Sequence, residues 1–141
     1  MNEGNARNGR SQKVSCYTLA PFVPALTTLR EFMKATLISY PGVEPYIQDI
    51  ITATHEAAKN AVVHNPGSSK PIDVICEIRD RAVLVEVSDR GHGFKPTGKS
   101  PCPPDIDALS GRGFFIMHSL MDEVQIKSNR HGSCVRMLKR L

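Results

Sequence analysis

A chain of 141 residues, 40% hydrophobic and 23% charged, has the size and composition of one globular domain that buries its core without disulfides or a structural metal. Its net charge of +4 comes from scattered Lys and Arg with no basic run interleaved with aromatics, which argues against nucleic acid as a partner. The 4 cysteines show no C-x-x-C spacing, nothing at the N-terminus reads as a secretion signal, and no apolar stretch nears the roughly 20 residues of a membrane span, so the expected setting is the reducing cytoplasm without a membrane.

Residues 1–11 are polar, rich in Asn and Gly and without period, the pattern of a disordered tail before a domain spanning 12–141. Residues 13–19 alternate as a short strand. Pro24 then suits the first turn of a helix whose apolar positions Leu26, Leu29, Phe32, Met33 and Leu37 recur until Tyr40-Pro41-Gly42. A second helix is predicted from Val43 or Glu44 to His64, with Ile47, Ile50, Ile51, Thr54, Ala58, Ala61 and Val62 on its buried side and Asn65-Pro66-Gly67 as its stop. Two β-branched strands follow at 71–79 and 82–88, joined by a tight turn at Arg79-Asp80-Arg81. Residues 89–110 are rich in Gly and Pro with no apolar period, and a loop that long inside a domain is functional or disordered. A glycine-led helix is predicted at 111–120. Strands at 124–128 and 133–138 close the chain around a turn at Asn129-Arg130-His131-Gly132, with Arg136, Lys139 and Arg140 read as a solvated edge. This order gives an α+β two-layer sandwich, a mixed, mainly antiparallel sheet with helices packed on one face.

Three segments carry candidate chemistry. On the second helix Glu56 and Asn60 are four residues apart and share a face, which at 100° per residue lies opposite Ile47, Ile51, Ala58 and Val62. A carboxylate and a carboxamide directed away from the core can accept a proton and ligate a hard cation, although such residues on an amphipathic helix are more often simply solvated. Asp89-Arg90-Gly91-His92-Gly93 follows a strand directly; its carboxylate can accept a hydrogen bond from an exocyclic amine, and Gly91 and Gly93 let the backbone approach a flat ligand. Gly111-Arg112-Gly113-Phe114 leads into a helix and offers unpaired backbone N–H groups to phosphates, or else serves as a hinge before a packed helix. Each segment alone is weak.

Their order resembles the ATP-binding fold shared by DNA gyrase-type topoisomerases, heat-shock chaperones, sensor histidine kinases and mismatch-repair ATPases. Within that superfamily the chain looks most similar to bacterial anti-sigma factors that are serine-protein kinases. The resemblance rests on Glu56-Ala57-Ala58-Lys59-Asn60-Ala61-Val62-Val63-His64, on the run from Gly111 to Val124 and on the ending from Gly132 to Leu141, and it covers about residue 13 to the end. It implies the histidine-kinase-like ATPase fold, with ATP and Mg²⁺ as cofactors. Carried over by position, it implies Asn60 as the Mg²⁺ ligand and Glu56 as the general base toward a serine hydroxyl. Asp89 would read the adenine amine, with Ser133 beside it where the family usually places a Thr. Gly91 and Gly93 would let the base lie close, and Gly111, Arg112, Gly113 and Phe114 would wrap the phosphates as a lid of about 92–111 closes. The implied partners are a STAS-domain anti-anti-sigma protein, which is phosphorylated, and a sigma factor, which is sequestered, with a homodimer as the assembly.

This chain departs from that family at His55, where a small hydroxyl residue is common, and at Lys59, where the residue is usually small or uncharged; Lys59 is expected to point to water. His64 and His92 are read as structural or solvated. Two other readings are a nucleotide-dependent partner-binding module without kinase activity and a stand-alone histidine-kinase-type ATP-binding domain. Glu56 argues against the first, since a pure binder has no use for a base there. Against the second stands the lack of a long helix carrying a phospho-accepting His before the domain.

Overall fold

Alternation lays down the sheet. Strand β2 (Ile72–Arg79) buries Ile72, Val74, Cys76 and Ile78, and β3 (Ala82–Asp89) buries Val83, Val85 and Val87, a period of two that sets one face of each strand on a core. The structure is a computed structural model describing residues 13–63, 70–89, 108–129 and 132–141. The remaining strands are β1 (Lys13–Leu19), β4 (Glu123–Asn129) and β5 (Gly132–Arg140), and the sheet order is β1-β2-β3-β5-β4. All pairings among the described residues are antiparallel, so the mainly antiparallel sheet expected from sequence holds no parallel pair there. Arg79 pairs with Ala82 across the Asp80-Arg81 turn, and the Leu141 N–H donates to the Arg81 carbonyl at 2.9 Å, tying the chain end to that hairpin.

Helix α1 (Ala25–Ile38) begins after Pro24, whose φ of −59° is already helical. It buries Leu26, Leu29, Met33, Thr36 and Leu37. Gly42 turns the chain with φ +90°, a conformation that disfavours any side chain. The single helix predicted from 43 or 44 is in fact a 3₁₀ turn at Glu44–Tyr46 followed by helix α2 (Ile47–Val63), with Pro45 in the tight first turn. Helix α3 (Ala108–Leu120) starts three residues before the predicted glycine-led start, because Ala108 and Leu109 are good helix formers that extend it backward.

The core lies between the helices and the sheet, with Leu29, Met33, Leu37, Ile50, Met117 and Met137 among its fully buried side chains. Each such residue contributes about 1.5–3 kcal/mol by leaving water. Lys139 is not the solvated edge residue expected from sequence. Its side chain is only 14% exposed, because β5 presents it on the helical face, where Nζ donates to the Leu120 carbonyl at 2.6 Å. There it caps the C-terminal end of α3 and lies 5.5 Å from the Tyr46 ring centre, so one ammonium ties α3 to the start of α2. Arg136 pairs instead with Glu86, and Arg140 with Glu123.

Candidate functional site

The face of α2 expected to meet solvent is covered. Helix α2 buries Ala53, Thr54, Ala57 and Asn60 as well as its apolar stripe, because α3 packs against it. Asn60 is 7% exposed, and its Nδ2 is buried with no hydrogen-bond partner among the described residues. The Glu56 side chain is only 12% exposed. The two predicted residues therefore lie together in an enclosed place, and the solvated alternative is corrected by the covering helix.

Gly113 makes the enclosure possible. A Cβ there would stand 3.0 Å from Asn60 Nδ2, 3.2 Å from Glu56 Oε1 and 3.3 Å from Asn60 Oδ1. With no side chain at Gly113, α3 approaches Glu56 and Asn60 closely, and a Cβ there would require those side-chain ends to give by a few tenths of an ångström. Sequence reasoning gave Gly113 a different task, as an amide donor ahead of a helix. With α3 starting at Ala108, Gly113 is its sixth residue, beyond the first four N–H groups that a helix leaves unpaired. Gly111 falls within those four. Phe114 packs into the core at 3% exposure, holding α3 down, and Arg112 is exposed.

Lys59 does not point to water. Its Nζ lies 3.3 Å from Glu56 Oε1, with the side chain 31% exposed. On the same helix His55 has a buried Nδ1 without a partner among the described residues, and burial, then the charge of Arg30, hold its pKa below the ordinary value of 6.5 despite the opposing pull of Glu56. Neither the Lys59 pairing nor the Gly113 gap was readable in advance. Spacing did place Lys59 within reach of Glu56 at i,i+3, and that was the available sign.

At the far end of β3, Asp89 stands opposite Ser133 of β5, and Ser133 Oγ donates to Asp89 Oδ2 at 2.5 Å. The register thus brings these two predicted residues together and fixes the carboxylate's orientation. Gly91, Gly93, His64, His92, the tail 1–11 and most of the predicted lid lie outside the described residues; its last residues, 108–111, form the first turn of α3. A groove lined by Arg79, Leu84, Glu123, Arg136 and Leu138 opens on the opposite sheet face, away from Glu56 and Asn60. No group of three or more His, Cys, Asp or Glu that could hold a metal occurs among the described residues, and no helix there is long and apolar enough to cross a membrane.

Residues 22–139 match the family model of the histidine kinase-like ATPase domain. The chain belongs to that family. Membership of an ATPase family implies that the chain binds ATP. Among curated relatives it is 31% identical over 103 residues to the anti-sigma F factor of Clostridium novyi, covering 67% of this chain and 71% of that protein. It is 33% identical over 110 residues to the anti-sigma F factor of Clostridium acetobutylicum, covering 70% and 76%. The solved structure of the RsbU and RsbW domains of a Mycobacterium tuberculosis protein superposes with a TM-score of 0.68 at 21% identity, over 92% of this chain and 32% of that one. A histidine kinase domain from Erythrobacter litoralis superposes with a TM-score of 0.55 at 16% identity, over 84% and 60%. At these identities the two structures speak for the fold, which is the α+β ATPase fold expected from sequence.

Proposed function

We propose that this protein is an anti-sigma factor that transfers the terminal phosphoryl group of ATP to a serine of a STAS-type partner and sequesters a sigma factor when not so engaged. Its curated relatives bear the name anti-sigma F factor, which supports the sigma-binding half of the reading. The observation that supports the phosphotransfer half is the placing of Glu56 and Asn60 side by side, both largely buried and both packed against Gly113, a carboxylate and a carboxamide one helical turn apart.

The donor set suits Mg²⁺. The ion usually takes one or two protein ligands and completes its shell from phosphates and water, so it needs no cluster of carboxylates. Asn60 has a buried amide nitrogen without a partner among the described residues, so turning its carboxamide to present Oδ1 to a cation breaks no hydrogen bond made by that nitrogen. When bound, the ion neutralises charge on the phosphate oxygens. The chain's residues do the rest. Glu56, one turn along α2 from Asn60, accepts the serine hydroxyl proton. Asp89, oriented by Ser133, accepts a hydrogen bond from the adenine amine, and a carbonyl in that position would be repelled. The α3 N-terminus, which includes Gly111, presents free N–H groups and the positive end of the helix dipole to phosphate.

The Lys59 ion pair favours a second reading. A base already engaged by an ammonium is also consistent with a module that binds ATP and sigma without transferring phosphate. Glu56→Gln separates the two, since it removes proton acceptance and keeps the shape. Under the kinase reading the variant binds ATP and sigma as wild type does, yet phosphorylates the STAS partner about 10²–10⁴-fold more slowly. Labelled-phosphate transfer and sigma pull-down, run in parallel on both proteins, check this. Wild type that holds sigma and labels no STAS protein establishes the binding module instead.

A further inference from the structure

The ammonium of Lys59 reaches over the rim of the site to a carboxylate that the protein has largely enclosed: Nζ is 3.3 Å from Glu56 Oε1, with the side chains 31% and 12% exposed. The same Oε1 lies 3.2 Å from where a Cβ on Gly113 would stand, so Lys59, Glu56 and Gly113 are close neighbours. An ion pair at i,i+3 adds little to a helix, and helix stability gives no reason to put a cation against this particular carboxylate. Glu56 is the group argued above to face the terminal phosphoryl group.

Resting on that ATP reading, we propose that Lys59 is an exchangeable clamp, holding Glu56 in the empty site and passing to the terminal phosphoryl group of ATP when it enters. Attraction scales with charge, and a terminal phosphoryl group carries about two negative charges against one on the carboxylate. A lysine ammonium is a point charge on a flexible four-carbon stem, able to change partners without the fixed geometry a guanidinium requires. The exchange makes and breaks no covalent bond. It sets a cation beside the group to be transferred and leaves Glu56 open to the hydroxyl proton. ADP lacks that group and leaves the clamp closed, so Lys59 also discriminates between the two nucleotides.

The test is calorimetric titration of the full chain with ATP and with ADP, each with Mg²⁺, in wild type, Lys59→Met and Lys59→Arg. The expected result is a loss of about tenfold or more in ATP affinity for Lys59→Met, the scale of one charge-assisted hydrogen bond. Its ADP affinity is unchanged, and Lys59→Arg keeps most of the preference for ATP. Should Lys59→Met melt well below wild type, Lys59→Gln replaces it under the same criteria. Unchanged ATP affinity, or an equal loss for ATP and ADP, overturns the clamp and leaves the ATP reading standing. Wild type that binds neither nucleotide overturns that reading and the clamp together.

Discussion

One absent methyl group sets the geometry of the site. At Gly113 the three atoms a Cβ would crowd are ends of the Glu56 and Asn60 side chains, not backbone, so they can shift by the few tenths of an ångström needed. Alanine also adds about 0.5–1 kcal/mol to a helix interior relative to glycine, which offsets part of that crowding. Gly113→Ala is therefore expected to fold with a melting midpoint within about 5 °C of wild type. The cost falls on the site, with ATP affinity reduced about tenfold or more as the added methyl displaces Asn60 and Glu56. Melting and ATP titration on the same preparation check both halves, and full affinity in the variant removes Gly113 from the site. Type and spacing single out Glu56, Asn60 and Asp89 as candidates, while Ser133 comes from the family resemblance alone. Their surroundings were not legible in the sequence. A helix read alone shows one apolar stripe and leaves the other side to water, and nothing local to α2 announces that a glycine 53 positions after Asn60 brings a second helix against it.

At the scale of elements, β1, β2 and β3 were readable nearly to the residue, since alternation and a two-residue turn are local facts. The start of α3 was not. Gly111 and Gly113 lie within the helix and do not begin it, and at Gly113 close packing against α2 accompanies a residue of low helix propensity. Helix α2 carries its own pH response. The pKa of His55 is lowered in the fold, chiefly by burial, while in the unfolded chain it returns toward 6.5. Between the folded value and 6.5 the unfolded chain binds more protons, so the neutral imidazole's contribution to stability is present above that window and is lost as pH falls through it. His55→Gln should flatten this part of the profile. Urea unfolding of both proteins from pH 8 to pH 5 checks the difference, and parallel profiles would show that His55 titrates alike in both states.

For the whole molecule, strand pairing and helix packing bring together residues far apart in the chain. Pairing β3 with β5 brings Asp89 to Ser133, and packing α3 on α2 brings Gly113 to Asn60; both are non-local, and neither could be derived from periodicity. Under the proposed ATP reading, adenine recognition on one element and phosphate recognition on others would make nucleotide binding a cross-link of the fold, so it should appear as global stability. At a concentration about 100 times its Kd, a ligand that binds only the folded chain adds about 2.7 kcal/mol. For a domain of this size that raises the melting midpoint by on the order of 10 °C. ATP with Mg²⁺ should produce this shift and GTP at the same concentration much less, because guanine places a carbonyl where adenine carries the amine that Asp89 would accept from. Asp89→Asn exchanges a carboxylate for an amide that can also donate, so it should lower the ATP shift and narrow the gap to GTP. Scanning calorimetry of wild type and Asp89→Asn with each nucleotide gives the four numbers required. Equal shifts for ATP and GTP in wild type would mean that Asp89 does not read the base, and that affinity comes from the phosphates and the residues around Asn60 alone.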